Sequence, residues 1–106
     1  MGGDKKIKPS QMETYQYKRI ASGDANSTVT VCSGPCVLKS ITINTTSAHA
    51  LTVKETAASG TAPTIATIKA SVAEQTLEYN IAVDSGLQVS IPASYVGDAT
   101  IAFKPL

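Results

Sequence analysis

Tryptophan is absent from this 106-residue sequence, phenylalanine and histidine occur once each, and there are only two cysteines. Two cysteines are too few for a disulfide scaffold. One histidine leaves little material for general acid–base or metal chemistry. Charged residues make up 16% of the chain, below the usual ~25%. Nine basic residues stand against eight acidic ones, a net charge of +1, which argues against a nucleic-acid partner and against an acidic solvating tail. No apolar run approaches the ~20 residues a membrane helix needs. What remains is rich in small and β-branched residues: Ser and Thr total 24, Ala 14, and Val plus Ile 17. That mixture suits strands rather than a helical bundle, and the length suits one domain.

The N-terminal lysines Lys5, Lys6 and Lys8 are not followed by an apolar stretch, so a secretory signal is not expected. Lys6 stands where a myristoylation motif needs Ser or Thr. Without secretion, the sequons Asn26-Ser27-Thr28 and Asn44-Thr45-Thr46 read as chance matches, and synthesis in a cytoplasm is expected. Residues 1–12 carry three Lys, two Gly and Pro9 with no usable apolar period, and read as a flexible basic arm ahead of a domain at 13–106. Residues 1–20 hold five positive and two negative side chains, a net +3, against −2 for the rest.

From Thr14 onward the chain alternates. Thr14–Ile20 reads as a strand with Tyr15 and Tyr17 on one face. Thr28–Cys32 follows, then a break at Ser33-Gly34-Pro35. Val37–Asn44 is next, with Val37, Ile41 and Ile43 sharing a face and Lys39 at an edge or sheet end. Leu51–Glu55, Thr64–Lys69, Leu77–Val83, Leu87–Ile91 and Ala99–Phe103 complete the series, separated by Gly, Asn, Asp and Pro turns. Ser71-Val72-Ala73-Glu74 matches a capping box and could open one helical turn. A longer helix would break the Leu77/Tyr79/Ile81/Val83 alternation. About eight short strands need a second sheet to cover their apolar faces. The expected fold is therefore all-β, a single antiparallel β-sandwich, of which the jelly roll is one form.

Few residues suggest chemistry. His49 lies in a predicted turn, and its nearest acid in sequence is Glu55. Cys32 and Cys36 have the wrong spacing for a redox motif and too few companions for zinc. If 28–32 and 36–43 form a hairpin, the two cysteines face each other at its closed end, either as a disulfide or as two packed thiols. The eight acids are scattered singly, with no glycosidase pair and no calcium loop. Tyr15, Tyr17, Tyr79 and Tyr95 could offer a stacking surface, although aromatics in alternating strands more often serve core or interface. No enzyme, no cofactor and no metal are expected.

The ordered phrases carry a further signal. Tyr15-Gln16-Tyr17-Lys18-Arg19-Ile20 precedes Ser33-Gly34-Pro35 and Val37-Leu38-Lys39-Ser40-Ile41-Thr42-Ile43-Asn44. Leu51–Glu55, Ile65–Ile68, Thr76–Val83, Ser85-Gly86-Leu87 and Ala99–Phe103 follow. Over residues 14–103 this succession resembles small β-sandwich virion proteins of tailed bacteriophages, of the capsid decoration or cement type. Cys36 departs from the pattern, standing where that turn often has a second Gly. The resemblance implies a structural protein on the capsid surface, made in the bacterial host cytoplasm. It also implies the major capsid protein and itself, as a homotrimer, for partners. Cement proteins of this kind sit over junctions between capsid subunits and resist the pressure of packaged DNA. Within that reading Lys5, Lys6 and Lys8 form a capsid-contact arm, Cys32 and Cys36 a possible cross-link, and Tyr15 and Tyr17 an oligomer interface. A tail, baseplate or head-fibre part and a carbohydrate-binding module are the alternatives.

Overall fold

Each predicted alternating segment forms a strand, with limits shifted by at most two residues. The computed structural model describes residues 15–56 and 62–106. The strands are β1 (Gln16–Ala21), β2 (Ser27–Ser33), β3 (Cys36–Thr45), β4 (Leu51–Glu55), β5 (Thr64–Ile68), β6 (Thr76–Val83), β7 (Gly86–Ile91) and β8 (Asp98–Pro105). One sheet has the order β1-β8-β3-β6 and the other β2-β7-β4-β5, and every pairing is antiparallel. Successive strands alternate between sheets for the first half of the chain, which is the eight-stranded jelly-roll form of the expected sandwich. The basic arm at 1–12, with Lys5, Lys6 and Lys8, lies outside the described residues, as do residues 57–61.

The period-two pattern explains the core. Leu87, Val89 and Ile91 of β7 and Leu51 and Val53 of β4 point inward from one sheet; Leu38, Ile41, Ile43, Ile101 and Phe103 meet them from the other. Leu38, Ile41 and Leu87 have no exposed surface at all, and burying each such side chain contributes roughly 1.5–3 kcal/mol before entropy is counted.

Two expectations fail. Val37 does not share a face with Ile41 and Ile43. The register against β8 shifts between Leu38 and Ser40, so an extra residue in β3 moves the inward set from Cys36 and Leu38 to Ile41 and Ile43. Lys39 is that extra residue. It sits in an interior strand rather than at an edge or sheet end, and its bulged position lets the ammonium reach the outer face. The second failure is the hairpin. β2 pairs with β7, whereas β3 pairs with β8 and β6. Ser33-Gly34-Pro35 therefore carries the chain from one sheet to the other, and Gly34 at φ 90 supplies the left-handed backbone of that corner. Residues 70–75 form turns and bends with Ser71 at φ 62, so no helical turn opens there. The one helical element among the described residues is a 3-10 turn at Ser22–Asp24, where the Asp24 carboxylate accepts the Ala21 N–H at 2.9 Å.

Candidate interaction surfaces

His49 and Glu55 do not converge. They flank β4 at opposite ends, and the Glu55 carboxylate is occupied in accepting the N–H groups of Asp84 (2.9 Å) and Ser85 (3.2 Å) at the β6–β7 turn. Among the described residues no group of three or more His, Cys, Asp or Glu side chains is placed to hold a metal ion.

Cys32 and Cys36 meet at the corner between the sheets instead of at a hairpin end. Both are buried free thiols. Cys32 points to the Gly34 carbonyl at 3.9 Å. Burial, then the hydrogen bond with Cys32, push the Cys36 thiol up to about 12. Cys36, protonated at neutral pH, is a poor nucleophile and a poor metal ligand, and the two buried side chains pack as small apolar groups.

The outer face of the first sheet is polar and internally bonded. The Arg19 guanidinium grips Asp98 through Nε, at 3.1 and 3.0 Å to the two carboxylate oxygens, and through one terminal nitrogen. Asn44 donates to Asp98 at 3.3 Å and to Thr100 at 3.0 Å. The hydrogen bond from Arg19 holds the Asp98 carboxyl below its ordinary range. On the same face Lys39 donates to Asn80 at 3.1 Å, pairs with Glu78 at 3.4 Å and lies 5.9 Å from the Tyr15 ring centre. Asn80 has φ 54 where the β3–β6 register shifts. Asn tolerates that left-handed conformation, and its carbonyl oxygen is thereby turned to Lys39.

The four tyrosines separate. Tyr95 is buried and Tyr79 half-buried, and burial raises the phenol pKa of both. Only Tyr17, 74% exposed, and Tyr15, 38% exposed, present large aromatic surface. Tyr17 stands opposite Ala102 on the outer side of edge strand β1. No four-tyrosine stacking surface exists, because Tyr95 lies inside the sandwich.

The outer face of the second sheet is a field of hydroxyls. Thr28 pairs with Ser90, Ser90 with Thr52, and Thr52 with Thr67, one residue from each of the four strands. A shallow depression of about 560 Å³ opens there, lined by Asn26, Ser27, Thr28, Ala50, Thr52, Ser90, Ile91 and Pro92. None of those residues is charged or aromatic. Sequence reasoning missed this face because its residues are individually unremarkable polar positions of alternating strands; only the register aligns them.

No family model matches the chain, and no curated protein sequence matches it. Among solved structures, the Drosophila NLP core is similar, with a TM-score of 0.54 and 16% identity over 87% of this chain and 97% of that one. That structure is described as giving insight into pentamer formation and histone binding. At such low identity the likeness speaks to the sandwich fold alone.

Proposed function

We propose that this chain is a structural protein of a tailed-phage particle, a cement protein that binds the outer surface of the head at junctions between major capsid subunits. One observation carries the reading: the phrases that resemble phage virion proteins run in order from Tyr15 to Phe103 and fall on successive strands of one sandwich. Burial supports the use of its tyrosine edge for association, since Tyr17 spends a large aromatic surface on solvent. The chain forms a homotrimer through its apolar and tyrosine-bearing edges. Each copy adds the segment with Lys5, Lys6 and Lys8, which precedes the same edge, as a contact to acidic groups on the capsid. Many weak contacts repeated over a trimer then give avidity.

The test is decoration of expanded heads that lack the protein. The intact chain saturates them and raises their resistance to heat. A chain without residues 2–12 melts like the intact domain yet decorates less, more so at high salt, because exposed ion pairs are screened. Failure of the intact chain to bind heads refutes the reading. Copy number separates cement from a tail, baseplate or head-fibre part: hundreds per particle for the former, tens or fewer for the latter. The hydroxyl-lined depression favours a carbohydrate-binding reading as the second choice, and binding on a glycan array would establish it.

A further inference from the structure

Two short corners carry the chain between the sheets at one end of the sandwich. Ser33-Gly34-Pro35 leads from Cys32 in the second sheet to Cys36 in the first. Asp84-Ser85-Gly86 leads back, from Val83 in the first sheet to Leu87 in the second. Register stacks the two corners: Cys32 stands opposite Leu87, Ser33 opposite Gly86 and Cys36 opposite Val83. All four flanking side chains, Cys32, Cys36, Val83 and Leu87, are buried in the common core. One sulfur enters that end of the core from each sheet, and the two thiols meet in a hydrogen bond across the corner.

The two cysteines are not equivalent. β2 is an edge strand bonded to β7 alone, and its register slips between Thr30 and Cys32. β3 is an interior strand held on both sides by β8 and β6. Cys36 has no exposed surface, whereas Cys32 keeps 7%. A small reagent therefore reaches Cys32 first, and the enclosed Cys36 reacts through it.

We propose that Cys32 and Cys36 are an oxidisable pair, which hydrogen peroxide converts to an internal disulfide within the folded chain, fastening edge strand β2 to interior strand β3. Cys32 Sγ attacks one peroxide oxygen and the O–O bond breaks. The Cys32 thiol hydrogen leaves with the other oxygen as water, and Cys32 becomes a sulfenic acid. Cys36 Sγ then attacks the Cys32 sulfur. The S–S bond forms, the S–O bond breaks, and the Cys36 hydrogen leaves with the hydroxyl as a second water. The two sulfurs give up two electrons in all, and the two peroxide oxygens take them. Because the Cys36 hydrogen departs on oxygen, closure does not wait on a free thiolate there. The closed loop is very short, so its chain-entropy contribution is small. Its effect is local: the free side of β2 no longer peels away from the corner. The chemistry stands on the thiol pair alone. Its timing rests on the reading above, for thiols stay reduced in a cytoplasm and oxidise on a particle outside the cell.

The test treats the folded full chain with hydrogen peroxide, then unfolds it in iodoacetamide and digests it with trypsin. The peptide Ile20–Lys39 holds both cysteines and no methionine, so oxidation of Met1 and Met12 does not disturb the reading. The expectation is loss of both alkylation sites, a peptide lighter by two hydrogens, an unchanged circular dichroism spectrum, and full reversal by dithiothreitol. Hydrogen exchange of the β2 amides then slows, while that of β5, the opposite edge of the same sheet, does not. Two variants that melts show to be folded separate the steps. Cys36→Ala leaves a Cys32 sulfenic acid that dimedone labels, and Cys32→Ala leaves Cys36 unlabelled. A folded chain that keeps two free thiols, with the bridge formed in urea alone, overturns the inference. So do bridges between chains instead of within one, and so does dimedone labelling of Cys32→Ala as fast as of Cys36→Ala. Each of these failures leaves the decoration of heads by the untreated chain unaffected.

Discussion

Replacing Gly86 by alanine places a methyl group where the fold has no room. Gly86 opens β7 opposite Ser33 of β2, and its carbonyl accepts the Thr56 N–H at 2.9 Å. Its φ is 116, and a Cβ there would stand 2.5 Å from the Cys32 carbonyl oxygen and 3.2 Å from both Gly34 N and Thr56 Oγ1. The first neighbour is backbone at the corner between the sheets, which cannot swing aside as a side-chain end would. A backbone conformation outside the regions L-residues favour costs about 1–3 kcal/mol, and overpacking costs about 1–3 kcal/mol more. The sum, roughly 2–6 kcal/mol, is a large share of a small domain's stability. It corresponds to a fall in Tm of about 10 °C or more. Gly23→Ala is the control, since a Cβ there meets nothing within 4 Å, and its melt should move little or slightly upward. Urea unfolding should show a lower midpoint at unchanged slope for Gly86→Ala. A Gly86→Ala protein that melts within about 2 °C of the natural one would refute the close approach at this corner.

Other outcomes follow from the same geometry. Thr56 Oγ1 is buried without a hydrogen-bond partner, so Thr56→Val removes an unsatisfied group and should raise stability by about 1 kcal/mol, read as a higher urea midpoint. Cys36 should resist thiol reagents in the native protein at neutral pH and react once the chain is unfolded. Its raised folded value means that stability is full below the ordinary thiol range and falls as pH climbs toward about 12. That fall should be smaller in Cys36→Ala, as alkaline melts would show. The Asp98 carboxyl is lowered by Arg19, so its contribution is present above the ordinary carboxylate range and is lost as pH drops through the folded value. Asp98→Asn should flatten the acid limb of the melt without changing the fold.

The alternating segments made the sandwich legible: Leu87-Gln88-Val89-Ser90-Ile91 gives the same inward set in the sequence and in β7. What alternation does not encode is where the phase slips. Nothing in Val37-Leu38-Lys39-Ser40-Ile41 marks Lys39 as the extra residue, because the slip is set by the differing registers of β6 and β8 on either side. Ser33-Gly34-Pro35 reads alike for a hairpin and for a passage between sheets, since three turn residues serve both; the choice is made by the pairing of β2 with the distant β7. The Leu77–Val83 row alternates cleanly, and it forms an edge strand, for alternation records which way side chains point and not where in the sheet the strand lies. Tyr17 is legible as an interface candidate, and its high exposure on an edge strand is what the structure adds.

The most direct measurement of the central claim is the number of copies per particle. Particles purified from a phage that the proposal requires to carry this chain would be digested, and the chain quantified against the major capsid protein by mass spectrometry. A cement role predicts hundreds of copies, in a fixed ratio to the capsid subunits, on heads separated from their tails. Absence of the chain from purified heads, or a count of tens confined to tails, would contradict it.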